Sequence, residues 1–491
     1  MRVMTKWALL IGTALLTLWA IGQQQPVSFY QRMPVISDDG SEVLYQAVPV
    51  WNSGLPTLDV FQMSPQQMTT AGTEVRLKVG LNEIMLPEWR DAARPHFSTS
   101  QAMHIVYMRG GSGTPMQVFL YDRQQGREIL ISGLGTDPAN RQPGAYHSVC
   151  PRINKNGRII AFASLDPTLH DPNGDGNSDP LPLYATPTRD APWIIYVHDR
   201  DVDGNGTYDE ISPDPTVITV ATYAVAVTSF PYVSLSPDTG GTYIAYQVYD
   251  SANRAWRLFV KDWRNNPVTA PLVAVSPVKF SIPAVMGITQ PVNGALVAFT
   301  ANVAFNGNKA GVWLAEIDFS GASPVVRPFV RVSLNNGVNG APVISPDATF
   351  IAFHTTASDI DFDGDGRAGE DPIDGVDNDR DGRVDEDPPD RNGVDDIYVF
   401  DLTTLRPIWS TLLVRNLPNS PPPPIGLFDP CVHPSLSSFN GNNLYIAFEH
   451  WLKNPATGQQ QILVRKVQII PPSNFLFAWK TGRARRYVPL R

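Results

Sequence analysis

The chain has 491 residues, with 38 basic and 47 acidic side chains and a formal net charge of −9. Hydrophobic residues make up 43% and aromatics 10%, enough for a large core, which excludes an acidic, globally disordered chain. The stretch from Asp359 to Asp396 holds 16 acidic residues and 4 arginines, so it carries −12 and leaves +3 on the rest, too little for the basic footprint of a nucleic-acid binder.

The chain opens with Arg2 and Lys6, followed by an uncharged apolar run from Trp7 to Gly22 with small residues at Ala20 and Gly22. This order predicts a signal peptide over residues 1–22 and an exported protein, periplasmic or secreted. The run spans roughly 24 Å as a helix, short of the ~30 Å hydrocarbon core, so cleavage or a lipid-proximal anchor is expected rather than a spanning helix. No other stretch is apolar for long enough to span a membrane. Cys150 and Cys431 are the only cysteines. One bridge and two free buried thiols both remain open.

A short pattern then recurs seven times: a proline or small residue, a turn, and a β-branched pair ending in an aromatic. It runs from Pro34 (PVISDDGSEVLYQA), Pro95, Pro151, Val233, Pro291, Pro342 (PVISPDATFIAFHT) and His433. The aligned aromatics are Tyr45, Tyr107, Phe162, Tyr246, Phe299, Phe353 and Phe448, spaced near 54 residues apart with two long insertions. A second apolar run follows in most units, as in Val118–Asp122, Ile195–Asp199, Leu258–Asp262 and Ile397–Asp401, with weaker copies at Val312–Glu316 and Ile462–Lys466. Such short runs bounded by Gly, Pro, Asn and Asp read as strands. Seven all-β units predict a β-propeller of four-stranded blades over residues 27–470, each blade burying its faces against its neighbours.

Ser236-Pro237-Asp238 and Ser345-Pro346-Asp347, each followed by an IAY or IAF string, resemble the repeat of the TolB-type propellers. In that family the motif makes the turn between a blade's first two strands. The family usually has six such blades, whereas seven units are counted here, so six remains the alternative.

Both long spacings contain acidic insertions, at 165–192 with 199–212, and at 358–396. In the first, Asp171, Asn173, Asp175 and Asp179 are followed by Asp201, Asp203, Asn205 and Asp209. In the second, Asp361, Asp363, Asp365 and Asp371 are followed by Asp377, Asp379, Asp381, Asp385 and Asp387. Oxygen ligands at alternate positions with glycine at the sixth suit Ca²⁺, because the side chains converge on one ion and the glycine permits the sharp turn. The twelfth position is never glutamate, so these are not EF-hands. The run resembles the calcium loops of secreted bacterial proteins and of thrombospondin type-three repeats. That resemblance implies that Asp385 and Asp387 close the site begun at Asp377, and Glu370 or Asp371 the one begun at Asp361. The alternative is a solvated acidic loop.

Serine peptidases capped by TolB-type propellers carry a separate hydrolase domain with a GxSxG elbow, which this sequence lacks, as it lacks HExxH. His96, His147 and His433 fall at blade starts and could form a polar channel site with Arg152 and Asp429. Satisfied polar groups on inner strands are the plainer expectation. The tail, residues 471–491, is basic. Taken together, the sequence predicts an exported, monomeric, calcium-binding TolB-like propeller with protein partners in the cell envelope or outside the cell, serving as an interaction or scaffold module. The alternative is a carbohydrate-active propeller enzyme with its site in the channel.

Overall fold

The computed structural model describes residues 28–489 apart from 51–72, 81, 91, 99–102, 111–113, 213, 215, 302, 307–309, 333–339, 357–393, 412–429, 441–442, 452–459 and 469–487. Among the described residues there is no α-helix. Seven antiparallel sheets follow one another along the chain as the blades of a propeller. Blade 1 comprises Ser28–Ile36, Glu42–Val50, Glu74–Val79 and Asn82–Ile84; blade 2 Ala92–Phe97, His104–Arg109, Gln117–Asp122 and Arg127–Leu130. Blade 3 comprises Ser148–Ile153, Ile159–Ser164, Trp193–Asp199 and Ala221–Thr228; blade 4 Ser234–Leu235, Tyr243–Asp250, Ala255–Asp262 and Leu272–Ser276. Blade 5 has Ala284–Gln290, Gly294–Ala301 and Gly311–Asp318, with Val325–Val326 and Val330–Arg331 both pairing the third strand. Blade 6 is Val343–Ile344, Phe350–Thr355, Asp396–Asp401 and Arg406–Ser410; blade 7 is Cys431–Leu436, Asn443–Trp451 and Gln460–Gln468. Val488–Pro489 pairs with the first strand of blade 5.

Every aligned aromatic of the sequence repeat lies in a second strand, and every second apolar run in a third strand. The turn between the first two strands is closed the same way in six blades. Ser37, Ser98, Asn154, Ser236, Ser345 and Ser437 each accept a backbone N–H across the turn through the side-chain oxygen, at 2.9–3.3 Å. Each also donates its own N–H back to the same residue's carbonyl. This is why the repeat begins its turn with a small hydroxyl or amide residue.

Each seam between neighbouring blades holds a buried apolar cluster, including the closing seam, where Val43, Tyr45 and Ala47 of blade 1 pack on Ala447 and Ile462 of blade 7. A polar device overlies these clusters. Met33, Arg94, Cys150 and His433 have φ between 51° and 54°, each immediately before a proline and each at a register shift of the first strand. A non-glycine residue there is strained by about 1–3 kcal/mol, and the bulge turns its N–H out of the ladder. In three of the four blades the preceding blade supplies the acceptor. Met33 N–H donates to Glu449 Oε1 at 2.7 Å, Arg94 N–H to Gln46 Oε1 at 3.2 Å and His433 N–H to His354 Nδ1 at 3.4 Å.

Gln46, His354 and Glu449 occupy one position of the repeat, the residue after the aligned aromatic. Gln247 and Thr300 occupy it in blades 4 and 5. Gln247 donates to the carbonyls of Phe280 and Ser281 and accepts from Phe280 N–H, while Thr300 donates to Gly340 C=O at 2.7 Å. A Cβ on Gly340 would stand about 2 Å from the His354 ring, so only glycine fits at that seam. Blades 2 and 3 have Met108 and Ala163 at this position, and their seams pack through an apolar cluster with Cys150, Trp193 and Tyr232.

Gln247→Leu strands three buried backbone groups at the seam between blades 4 and 5. It is expected to cost about 2–4 kcal/mol in urea unfolding, whereas Met108→Leu should change stability by less than about 1.5 kcal/mol. Equal effects would show that the polar seam residues are not what joins the blades.

Candidate functional site: the central channel and the acidic loops

The first strands of all seven blades surround a central cavity of ≈ 250 Å³. Its wall is mainly proline, isoleucine and valine, because each first strand enters through an X-Pro or small-residue step. Four ionisable residues break that wall: Arg94, His96, Arg152 and His433. His147, the other blade-start histidine singled out from the sequence, instead accepts the Met116 N–H through Nδ1 at 3.0 Å and is absent from the cavity lining. Asp429 lies outside the described residues.

Arg94 is buried, and its Nη2 donates to the Tyr232 hydroxyl at 2.5 Å. His433 Nδ1 meets Glu449 Oε1 at 2.9 Å. Burial alone would raise the Glu449 carboxyl, but the neighbouring His433, Arg32 and Met33 N–H hold it down at about 2. His96 accepts Ile153 N–H through Nδ1 at 3.4 Å. Burial, then Arg152, lowers His96 to about 3. Burial, then His433, lowers His354 behind the wall to about 3. Both imidazoles are therefore neutral at pH 7 and serve as acceptors for the seam. Cys150 and Cys431 are buried thiols not joined in a disulfide, on the first strands of blades 3 and 7.

The first acidic insertion leaves blade 3 on both sides of its third strand. Asp171 exchanges backbone hydrogen bonds with Thr222 of the fourth strand. Its carboxylate accepts from Asp175 N–H at 3.1 Å and Gly176 N–H at 3.0 Å. Asn173 accepts from Asp175 N–H, and Asp175 from Asn177 N–H. Asp179 donates its backbone N–H to His170 C=O. The second loop repeats the geometry: Asp201 accepts from Gly206 N–H at 3.3 Å, and Asn205 bonds Asp203 and Thr207 N–H. In both loops the first carboxylate therefore takes the N–H of the sixth residue, a glycine with φ of 81° or 86°. Glycine adopts that left-handed backbone without the strain a Cβ would bring.

Asp209 is placed differently. It is 3% exposed, with φ 53°, and its Oδ2 accepts from Arg200 Nε at 2.6 Å. Its Oδ1 faces Arg141 Nη2 at 3.7 Å and His198 Nε2 at 3.8 Å. Burial opposes its charge, but the Arg200 guanidinium, the His198 ring as a hydrogen-bond donor and the Arg141 guanidinium hold the carboxyl well below the usual carboxylate range. Asp209 thus pins the insertion to the hairpin of Gly133–Leu134 and Gln142–Pro143, from whose loop Arg141 extends. Among the described residues no three His, Cys, Asp or Glu side chains group as a metal would require. Asp361, Asp363, Asp365, Asp371, Asp377, Asp379, Asp381, Asp385 and Asp387 lie outside the described residues.

Sequence reasoning missed Arg94, Glu449 and the column after the aromatic. The signal was present, since aligning the aromatics also aligns Gln46, Gln247, Thr300, His354 and Glu449.

No protein-family profile matches the sequence, and no curated protein matches it. Among solved structures, the chain is similar to the propeller domain of the trilobed protease of Pyrococcus furiosus, described as having an open velcro topology. The identity is 9% over 93% of this chain and 99% of that one, with a TM-score of 0.42. It is similar to an acylaminoacyl peptidase of Pyrococcus horikoshii at 10% identity, over 92% of this chain and 54% of that one, with a TM-score of 0.44. It is similar to TolB of Acinetobacter baumannii at 13% identity, over 61% and 56%, with a TM-score of 0.32. The chain thus spans about half the length of the peptidase and of TolB. The seven-bladed arrangement rests on the strand pairing itself.

Two buried neutral histidines set an acid limit. His96 and His354 bind a proton near pH 6.5 when unfolded but only near pH 3 when folded, so the folded state holds fewer protons between those values. Stability is complete above about pH 6.5 and falls toward pH 3, by up to about 1.4 kcal/mol per pH unit for each histidine. His354→Gln is expected to flatten the fall between pH 6.5 and 4.5 in urea titrations. A slope identical to the wild type would refute the assignment.

Proposed function

We propose that this chain is an exported propeller that serves as an interaction or scaffold module for protein partners in the cell envelope or outside the cell. Calcium ions order its acidic insertions in blades 3 and 6. The observation that carries the non-enzymatic reading is the employment of the channel's ionisable groups. His433 is bonded to Glu449, His96 accepts a backbone N–H of blade 3, and Arg94 is bonded to Tyr232. Groups committed to joining blades are not poised for proton transfer to a substrate. The positively charged and apolar start of the chain supports export, and no described helix is long and apolar enough to cross a membrane.

The calcium reading is supported by the alternating oxygen residues and by the one-to-six hydrogen bond of both described loops. Extracellular sites of this kind bind at about 10⁻⁴–10⁻³ M. A site at the tight end of that range, in 10 mM Ca²⁺, stabilises the native state by about 2.7 kcal/mol. Thermal unfolding should therefore shift upward with added Ca²⁺ and downward with EDTA, and cleavage by added protease between residues 359 and 396 should slow. An unchanged midpoint and unchanged cleavage would sink the calcium reading. Release of reducing sugar from polysaccharides by the purified chain, abolished by His433→Asn, would replace the scaffold by the carbohydrate-active enzyme.

A further inference from the structure

The channel cavity has an electrostatic imbalance that the seam chemistry does not use up. Arg94 and Arg152 both line it, and no carboxylate stands among its described lining residues. Arg94 is partly occupied by the Tyr232 hydroxyl. Arg152 is not occupied in the same way. Its hydrogen bond runs from Nη1 to the carbonyl of the adjacent Pro151 at 2.9 Å, which leaves the Nε–Nη2 edge without a protein acceptor among the described residues. The other groups coupled to it are Cys150, Arg94 and Tyr232. Burial pushes the Cys150 thiol up, so it supplies no anion at pH 7. Arg152 is therefore a permanent cation beside a second cation, in a recess whose remaining walls are proline and aliphatic side chains.

His96 adds a donor. Its Nδ1 accepts the Ile153 N–H, so the single proton of the neutral ring is on Nε2. The open edge of a guanidinium presents two parallel N–H groups, the spacing of a carboxylate's two oxygens. Apolar walls strengthen that attraction by excluding water and would cover the hydrocarbon part of a ligand. A phosphate needs more donors than this recess offers.

We propose that the central cavity is a binding site for a carboxylate carried on an apolar body, held on the Nε–Nη2 edge of Arg152 with His96 as a second donor and the prolines of the first strands as the apolar wall. The carboxylate can come from a small aliphatic acid or from the C-terminus of a peptide. This reading does not depend on calcium or on the scaffold role, and it is tested separately from both.

The test is calorimetric titration of the purified full chain with hexanoate, hexanamide, inorganic phosphate, acetyl-Leu-Val and its C-terminal amide. Hexanoate should bind and hexanamide should not. Binding of acetyl-Leu-Val but not its amide would extend the site to chain ends, and hexanoate binding alone would restrict it to small acids. Arg152→Gln should weaken hexanoate about 10- to 100-fold, the value of a charge-assisted pair, and Arg152→Lys should restore part of that loss. If Arg152→Gln does not fold, Ala341→Leu, which fills the same cavity from blade 6, should abolish binding without touching the arginine. The proposal is overturned if hexanamide binds as well as hexanoate, if phosphate binds more tightly, or if hexanoate binding survives both Arg152→Gln and Ala341→Leu. A calcium-dependent midpoint with no hexanoate binding would defeat this proposal and leave the scaffold reading standing.

Discussion

The ring depends on one requirement, that a buried backbone N–H be satisfied. Where a first strand bulges into the left-handed region before its proline, it gives up a ladder hydrogen bond. At Met33, Arg94 and His433 the donor so released is taken up by a side chain of the preceding blade. The distortion that shapes the channel wall and the bond that joins two blades are therefore one event. The two support each other: without the neighbour the bulge strands a donor, and without the bulge Glu449 and Gln46 lose the backbone N–H that each accepts.

The seams are not all alike. The residue after the aromatic bridges five of them, at Gln46, Gln247, Thr300, His354 and Glu449. It is apolar in blades 2 and 3, as Met108 and Ala163, and the junctions of blades 2, 3 and 4 take their polar bonds from His96, which accepts Ile153 N–H, and from Asn154, which donates to the Asp238 and Thr239 carbonyls. These two junctions frame the blade that carries the first acidic insertion. There the polar work moves outward, to the buried set of Asp209, Arg200, Arg141 and His198. A buried carboxylate between two guanidiniums is strongly disrupted by loss of one partner, so this group fixes the insertion to the hairpin before blade 3 whether or not an ion is bound nearby.

Much of the architecture was legible because its signal is periodic. Seven aligned aromatics located the second strand of every blade, and the six runs after them the third strands of blades 2 to 7; no such run marked the third strand of blade 1, Glu74–Val79. The turn chemistry of Ser236 and Ser345 was equally plain. The seam residues were less visible, because Gln, Thr, His and Glu share no residue class; what they share is a position and an acceptor or donor at a given reach. Asp209 shows a different limit. Spacing placed it with Asp201 and Asp203 as an oxygen ligand, but a positive φ turns it inward, toward an arginine 68 residues earlier in the chain. Of the three blade-start histidines, His96 and His433 line the cavity and His147 does not, while the role of Arg152 depends on which of its nitrogens lack an acceptor, which no pattern of residues displays.

Each described sheet of the ring is built from consecutive strands, and among the described residues the contact between blade 7 and blade 1 is made by side chains and apolar packing. Of the described strands only Val488–Pro489 leaves that order. The covalent chain and the ring are consequently separable. Apart from the hairpin of Gly133–Leu134 and Gln142–Pro143 between blades 2 and 3, the described connections between blades form no sheet of their own, so the order of the blades along the chain is not fixed by their strand pairing. A blade can be gained, lost or moved to the other end of the chain while every other blade keeps its strand pairing, provided that the residue after the new neighbour's aromatic still meets the bulge it faces.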